Sequence, residues 1–143
     1  LHHARHDTGV PGFVADLDEL IPQVDILSLH VPGGEATHHL IDARRLALLS
    51  PDAILVNTAR GTVVDEPALA RALHDNQLFA AGLDVYEHEP QVHPQLLTAP
   101  RTVLLPHIGS ATQSTRQAMV QLATSAIAQH FNNQPPESLI PPP

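Results

Sequence analysis

The chain has 143 residues, of which 43% are hydrophobic and 15% are charged, a balance typical of one globular domain or a large part of one. Fifteen acidic residues against seven basic ones give a formal net charge of −8, which argues against a nucleic-acid-binding protein. The sequence has no apolar stretch near the roughly 20 residues that span a bilayer, and no signal-peptide pattern. It also lacks cysteine. We therefore expect a cytoplasmic protein without membrane segments, disulfides or cysteine metal sites.

Apolar periodicity and helix-capping residues predict alternating strands and helices. In chain order these are a strand end at 1–3, a helix capped by Asp16, a strand at 25–31, a helix capped by Asp42, a strand at 53–59, a helix capped by Asp65, strands at 79–85 and 102–106, and a helix over 112–131. The strand segments are continuously apolar, so we expect them to be buried on both faces of a parallel sheet. Strand–helix alternation of this kind predicts an α/β fold.

The helices are predicted from apolar residues at helical spacing behind their caps. These residues are Leu17, Leu20 and Ile21, then Leu46 and Leu49, and then Leu69, Ala72 and Leu73, with Pro67 in the first turn of the third helix. The last helix is expected to place Thr115, Met119, Leu122, Ala126 and Phe131 near one face. The tail 132–143, "NNQPPESLIPPP", should not be helical, because its prolines cannot continue a helix.

Polar or small residues follow each of the four predicted strands. They occupy positions 30–32, 57–61, 84–89 and 107–110. Ligands of open α/β sheets bind at the carboxyl ends of the strands, so these segments are the predicted site. No G-x-G-x-x-G occurs in the sequence, which indicates that the first, phosphate-binding βαβ unit of such a sheet is missing.

The sequence contains eleven histidines, two pairs of which are adjacent. These pairs are His2–His3 and His38–His39. Adjacent side chains in a strand point to opposite faces, and zinc-binding helices usually space their histidines four residues apart. We therefore expect no metal site, and we expect most of these histidines to lie on the surface or at the rim of the ligand site.

Four ordered motifs resemble a known family. "LHVPGGEATHHLID", "ILVNTARGTVVDEPALARAL", "AAGLDVYEHEP" and "LLPHIGSATQSTR" are similar, in order and spacing, to the NAD-binding domain of D-isomer-specific 2-hydroxyacid dehydrogenases, and most of all to glyoxylate/hydroxypyruvate reductases. The resemblance covers nearly all of residues 1–131. It implies an incomplete Rossmann-like sheet over 1–111. It also implies a C-terminal helix and tail over 112–143 that return toward a substrate domain outside this chain.

The resemblance assigns the catalytic positions. Arg60 matches the arginine that binds the substrate carboxylate, for which its planar fork is suited. His107 matches the acid/base histidine, and Glu89 matches the glutamate that pairs with it and favours its charged form. Glu87 is the nearby alternative, but the glutamate directly before proline is the one that matches. Ser110 replaces a glycine found in many relatives and is implied to lie at the substrate.

The resemblance also assigns cofactor contacts. Asp84 matches the residue that contacts the nicotinamide carboxamide, whereas Pro32, Thr58 and Gly109 match positions that line the cofactor through backbone groups.

The choice of cofactor depends on the segment "LHHARHD". Arg5 lies where NAD-dependent relatives place an acidic residue for the ribose hydroxyls, and an arginine there can pair with a 2′-phosphate. Asp7 remains a possible ribose ligand. We predict NADP rather than NAD.

The function implied is NAD(P)H-dependent reduction of a small 2-keto acid to the D-2-hydroxy acid. The alternative is a dinucleotide-sensing binding protein of the corepressor type, which shares the fold and the motifs. The complete protein is expected to be a homodimer. The chain alone is expected to be inactive and to self-associate, because it lacks the glycine-rich turn and the substrate domain.

Overall fold

The computed structural model describes residues 1–136, so most of the predicted proline-rich tail lies outside the described residues. Its elements are α1 (Leu17–Leu20), β1 (Ile26–Leu29), α2 (Ala43–Leu46), β2 (Ile54–Asn57), α3 (Glu66–His74), β3 (Ala80–Leu83), β4 (Thr102–Leu104) and α4 (Gln113–Phe131), with 3-10 turns at Ile21–Gln23, Glu35–Thr37 and Gly61–Val63. The chain divides into two compact units, one over Leu1–His107 and one that begins at Ile108.

The first three helices begin at the predicted aspartates. Asp16 accepts a hydrogen bond from the backbone N–H of Asp18, and the other two caps, Asp42 and Asp65, bond the N–H groups three residues onward in the same way. The capping predictions are therefore confirmed. The prediction that α2 extends to Leu49 is wrong: the helix ends at Leu46, and tighter i to i+3 bonds follow it. Pro51 disfavours helical backbone at the residue before it.

The four strands form one parallel sheet in the order β1-β2-β3-β4, which confirms the predicted α/β fold. The last residues of the strands are in register: Leu29 faces Asn57, Asn57 faces Leu83, and Leu83 faces Leu104. Every strand is shorter than predicted. The predicted strand end at 1–3 makes a single bridge, from His2 to Phe13. The aligned strand ends bring the four following segments to one edge of the sheet.

The prediction that the strands are buried on both faces is wrong. Burial alternates along β1, β2 and β3, and the buried face packs against α1, α2 and α3 through an aliphatic core. On the other face, Ile26 is 60% exposed and Val103 is 61% exposed. A continuous apolar run predicts burial on both faces, but in the described part of this unit helices cover only one face of the sheet.

β1 is an edge strand of the described sheet. An apolar groove of about 420 Å³ runs alongside β1 and is lined mainly by residues 1–3 and 26–31. An edge strand presents backbone groups that can pair with a further strand. This edge and the open face of the sheet are therefore the apolar surfaces of the first unit.

In the second unit, α4 begins at Thr112, whose side chain accepts a hydrogen bond from the Thr115 backbone N–H. At 3.6 residues per turn the predicted positions from Thr115 to Ala126 share one face, but Phe131 falls on the opposite side, so the prediction of a single stripe is wrong. No residue of α4 is buried. Its large exposed apolar side chains are Met119, Val120, Leu122, Ile127 and Phe131. Within residues 1–136, no helix combines the length and the apolar character needed to cross a membrane.

Candidate active site

A cleft of about 980 Å³ lies at the carboxyl ends of the strands, where the sequence places the site. It is lined by His30, Val31, Pro32, Gly33, Thr58, Ala59, Arg60, Gly61, Thr62, Tyr86, Glu87, His88, Glu89 and His107. The segments after all four strands therefore contribute to one cavity, which is of the size of small-molecule and cofactor sites.

The loop that carries Arg60 is shaped by Asn57, the last residue of β2. Asn57 is almost fully buried; its Oδ1 accepts from the Ala59 N–H at 3.0 Å, and its Nδ2 donates to the Arg60 carbonyl at 3.0 Å. Arg60 itself is exposed, and its Nη1 donates to the Ala59 carbonyl. The sequence analysis includes Asn57 in the predicted site segment 57–61 but assigns it no role. An amide at the end of a buried apolar strand is the signal that could have identified it, because a buried amide needs partners.

Gly61 brings this loop against the one that follows β3. A Cβ atom at Gly61 would lie 1.8 Å from the carbonyl carbon of Tyr86 and 2.4 Å from the amide nitrogen of Glu87. Only a residue without a side chain allows two backbones to approach so closely. Gly33 lies on the other side of the arginine, where a Cβ would be 3.0 Å from the Cγ of Arg60. Close packing of small residues therefore fixes where Arg60 leaves the backbone.

Tyr86 and Glu89 connect the loop after β3 to the end of β4. The Tyr86 N–H donates to Oε1 of Glu89 at 3.0 Å, and Oε2 of the same carboxylate is 2.8 Å from Nδ1 of His107. The buried Tyr86 hydroxyl donates to the Leu105 carbonyl at 2.8 Å, and burial raises the pKa of this phenol. The Glu89 carboxylate thus bonds both the Tyr86 backbone N–H and the His107 imidazole.

His107 has left-handed backbone geometry, with φ of 53°, which is uncommon for a residue other than glycine. Such conformations are concentrated at functional sites. The bond from His107 lowers the pKa of the Glu89 carboxyl; the Tyr86 N–H and the charge of Arg60 lower it further, against an opposing effect of burial. The carboxylate is therefore ionised at neutral pH, and its charge faces the imidazole.

Glu87 and Glu89 bond different histidines. The Glu87 carboxylate hydrogen-bonds Nε2 of His39, and its backbone N–H donates to the buried Glu66 carboxylate at 2.7 Å. Burial raises the pKa of Glu66. Glu89, and not Glu87, therefore lies against His107.

The remaining sequence-derived positions lie in three places. Pro32 and Thr58 line the cleft, whereas Asp84 is buried directly after β3 and does not line it. Arg5 is exposed and also lies outside the lining. Gly109 and Ser110 belong to the second unit, where both are exposed.

Comparison with known proteins identifies relatives along most of the chain. The model of the D-isomer specific 2-hydroxyacid dehydrogenase family, NAD binding domain, matches residues 2–109. A glyoxylate/hydroxypyruvate reductase B from Enterobacter agglomerans is 48% identical over 121 residues, which are 84% of this chain and 38% of that protein. A glyoxylate reductase from Thermococcus onnurineus is 44% identical over 87% of this chain and 37% of that protein.

A solved structure shows the same fold. The NADPH-dependent glyoxylate/hydroxypyruvate reductase of Sinorhizobium meliloti, in complex with NADP and malonate, superposes with a TM-score of 0.85 at 38% identity, covering 90% of this chain and 41% of that one. The chain thus spans about two fifths of the length of these relatives. The family match, the identities and the fold agree: this chain belongs to the D-isomer specific 2-hydroxyacid dehydrogenase family and carries its NAD binding domain.

Proposed function

We propose that the protein containing this chain uses NAD(P)H to reduce a small 2-keto acid, of the glyoxylate or hydroxypyruvate type, to the D-2-hydroxy acid. The observation that carries the proposal is the bond between Glu89 and Nδ1 of His107 in a cleft that Arg60 also lines. Reduction of a 2-keto acid needs a cationic side chain that binds the substrate carboxylate. It also needs a proton donor, and an imidazole held by a carboxylate can serve as one. The relatives named as glyoxylate reductases support the same substrate class.

Each of the three side chains has a distinct task in this proposal. The Arg60 guanidinium binds the substrate carboxylate through two parallel hydrogen bonds and orients the ketone. Glu89 holds Nδ1 of His107, so Nε2 is the atom that gives its proton to the carbonyl oxygen. The Glu89 carboxylate, whose pKa is lowered, lies 2.8 Å from Nδ1 and holds the ring in this orientation. The same groups, working in reverse, remove the proton from the hydroxy acid.

The cleft fits the nicotinamide end of a dinucleotide. Its volume of about 980 Å³ and its small lining residues, such as Gly33 and Ala59, leave room for a flat ring beside His107. When bound, the nicotinamide supplies the hydride for the carbonyl carbon. Pro32, Thr58 and Gly109 would hold it through backbone groups.

We propose NADP as the cofactor. Arg5 is exposed, so its guanidinium can reach a 2′-phosphate, and the Sinorhizobium meliloti relative is described as NADPH-dependent. Asp84 is assigned to the carboxamide of the nicotinamide. This assignment rests on the family resemblance, because Asp84 is buried directly after β3 and does not line the cleft.

The domain division and the assembly are proposed on the family resemblance. On that resemblance, residues 1–111 are assigned to part of the NAD(P)-binding domain and 112–143 to the connection with the substrate domain. Ser110, near the end of the first segment, contributes to substrate binding. The complete protein works as a homodimer in the cytoplasm.

The dinucleotide-sensing alternative is less well supported. The relatives named above are reductases.

The test is a steady-state assay of the full-length protein with glyoxylate and hydroxypyruvate, followed by the loss of NADPH or NADH. Arg60→Lys keeps the charge but loses the two-pronged contact, so kcat/KM should fall by about 10- to 150-fold, the equivalent of about 1.5–3 kcal/mol. Arg44→Lys, at an exposed arginine bonded to Asp18, is the matched control and should leave kcat/KM unchanged. No turnover of any 2-keto acid by the full-length protein would refute the proposal.

The cofactor proposal is tested in the same assay. Arg5→Ala should weaken NADPH binding and leave NADH binding unchanged, because only the former carries the 2′-phosphate. Equal activity of the unmodified protein with NADH and NADPH would contradict the preference for NADP.

A further inference from the structure

Two histidines and a glutamate form a cluster at the wall of the cleft. One ligand atom from each of His38, His39 and Glu87 lies within 4.8 Å of the other two. The two imidazole rings stack with centroids 4.0 Å apart, and the Glu87 carboxylate bonds Nε2 of His39. Neither histidine has a task in the proposed reduction.

The backbone explains how adjacent histidines come together. The sequence predicts no metal site at this pair, because neighbouring side chains diverge on extended backbone. His38 has extended backbone, but His39 does not, so that prediction fails for the pair. They follow the 3-10 turn Glu35–Thr37, and His39 has left-handed geometry with φ of 47°. This turn places both imidazoles on the same side of the chain, facing Glu87.

Two of the three side chains, those of His39 and Glu87, are held on anchored backbone. The His39 N–H donates to the Thr62 carbonyl at 2.8 Å, and the Glu87 N–H donates to the carboxylate of Glu66, which is only 4% exposed. His38 is exposed, so its ring can rotate without disturbing the core. A ligand set with two fixed members and one adjustable member needs only a small rearrangement to close around an ion.

We propose that His38, His39 and Glu87 bind a divalent transition-metal ion, with Zn²⁺ as the first choice. Two neutral imidazoles and one carboxylate are a zinc ligand set that leaves a fourth position for water or another ligand. Zinc holds these atoms at about 2.0–2.2 Å, so neighbouring ligand atoms lie about 3.4 Å apart in a tetrahedral site. The ion takes the place of the hydrogen between Nε2 of His39 and Glu87, and that proton moves to Nδ1 of the imidazole, so His39 stays neutral. The bound ion places a positive charge on the wall of the cleft.

Direct zinc binding to the untagged, chelator-treated 143-residue chain tests the proposal. Calorimetry with zinc chloride should give one equivalent of bound zinc. His38→Gln should weaken binding by more than about tenfold, because even outer-shell changes at metal sites cost that much. The matched control is the double variant His2→Gln/His3→Gln, which removes the other predicted adjacent pair and should bind zinc as the unmodified chain does.

A second variant guards against a folding artefact. Glu87→Gln keeps a hydrogen-bond acceptor for His39 but removes the charge that zinc requires. It should fold with unchanged circular dichroism, and zinc should no longer raise its Tm as it raises that of the unmodified chain. Absence of zinc binding, or binding with equal affinity in the unmodified chain and in both variants, would overturn the proposal. Loss of binding in the His2/His3 control alone would also overturn it.

Discussion

Gly61→Ala should destabilise the first unit severely, because the new methyl group has no space. It would lie 1.8 Å from the carbonyl carbon and 2.0 Å from the carbonyl oxygen of Tyr86, whereas real Cβ contacts essentially never fall below 3.0 Å. The atoms it meets are backbone atoms between two hydrogen-bonded loops, so a side-chain rotation cannot relieve the clash. One of the two loops must move by more than an ångström. That movement would disturb the hydrogen bond between the Tyr86 N–H and the Glu89 carboxylate.

The size of that displacement sets how much the free energy of unfolding falls. Overpacking a well-packed site costs about 1–3 kcal/mol, and a clash with backbone this close belongs at the upper limit or above it. About 3 kcal/mol is a large fraction of the 5–15 kcal/mol that stabilises a typical domain, and it corresponds to a fall in Tm of about 10 °C. Gly82→Ala is the matched control: it lies in β3, and its Cβ would meet nothing within 4 Å. Its effect should be a gain of up to about 1 kcal/mol.

Urea unfolding followed by circular dichroism measures both variants. The urea midpoint of Gly61→Ala should fall with an unchanged slope, and its free energy of unfolding should lie at least about 3 kcal/mol below that of Gly82→Ala. If the two variants differed by less than about 1 kcal/mol, the close approach of the two loops would not be a constraint on the fold.

Three further measurements, two on variants and one on the unmodified chain, test other features of the protein. In the full-length protein, Glu89→Gln should lower kcat/KM for reduction and leave the Kd for NADPH unchanged, because the amide replaces the carboxylate that holds Nδ1 of His107; an unchanged kcat/KM would show that the pair has no functional role. Hydrogen bonds from Arg44 and Arg45 lower the pKa of Asp18 from 3.8 to about 2, so the stability they contribute is complete above the unfolded pKa and is lost as the pH falls through the folded one. Asp18→Asn should therefore flatten the loss of urea stability below pH 4, and an unchanged acid limb would refute this. Finally, light scattering of the 143-residue chain should give a mass above that of one chain, since the edge of β1 and the open sheet face are exposed; a strictly monomeric solution would contradict it.

The order of the elements was predictable because the signals for it are local. Apolar runs and capping aspartates such as Asp65 are read within one turn or one strand, and the structure confirms them. The position of the site follows in turn, since parallel strands in register bring their ends to one edge. The placement of Arg60, Glu89 and His107 in one cleft therefore required only the topology and the family resemblance.

The features that the sequence did not reveal depend on contacts between distant segments. Gly61 matters because of the backbone at Tyr86, which lies on another loop. His38 and His39 face the same way because a left-handed residue follows a 3-10 turn, and no residue type at position 39 indicates that left-handed backbone. Two-sided burial of the strands was wrongly predicted because an apolar run does not show which of its faces a helix will cover.

The most direct test of the account is a single-residue change at His107 in the full-length protein. With Glu89 intact, His107→Gln should lower kcat for glyoxylate reduction by about 10²- to 10⁴-fold and leave the Kd for NADPH unchanged, because the proton donor is lost and the cofactor contacts are not. His130→Gln, at an exposed histidine of α4, is the control and should retain full activity. If His107→Gln reduced glyoxylate at the unmodified rate, His107 would not be the proton donor and the proposed mechanism would be wrong.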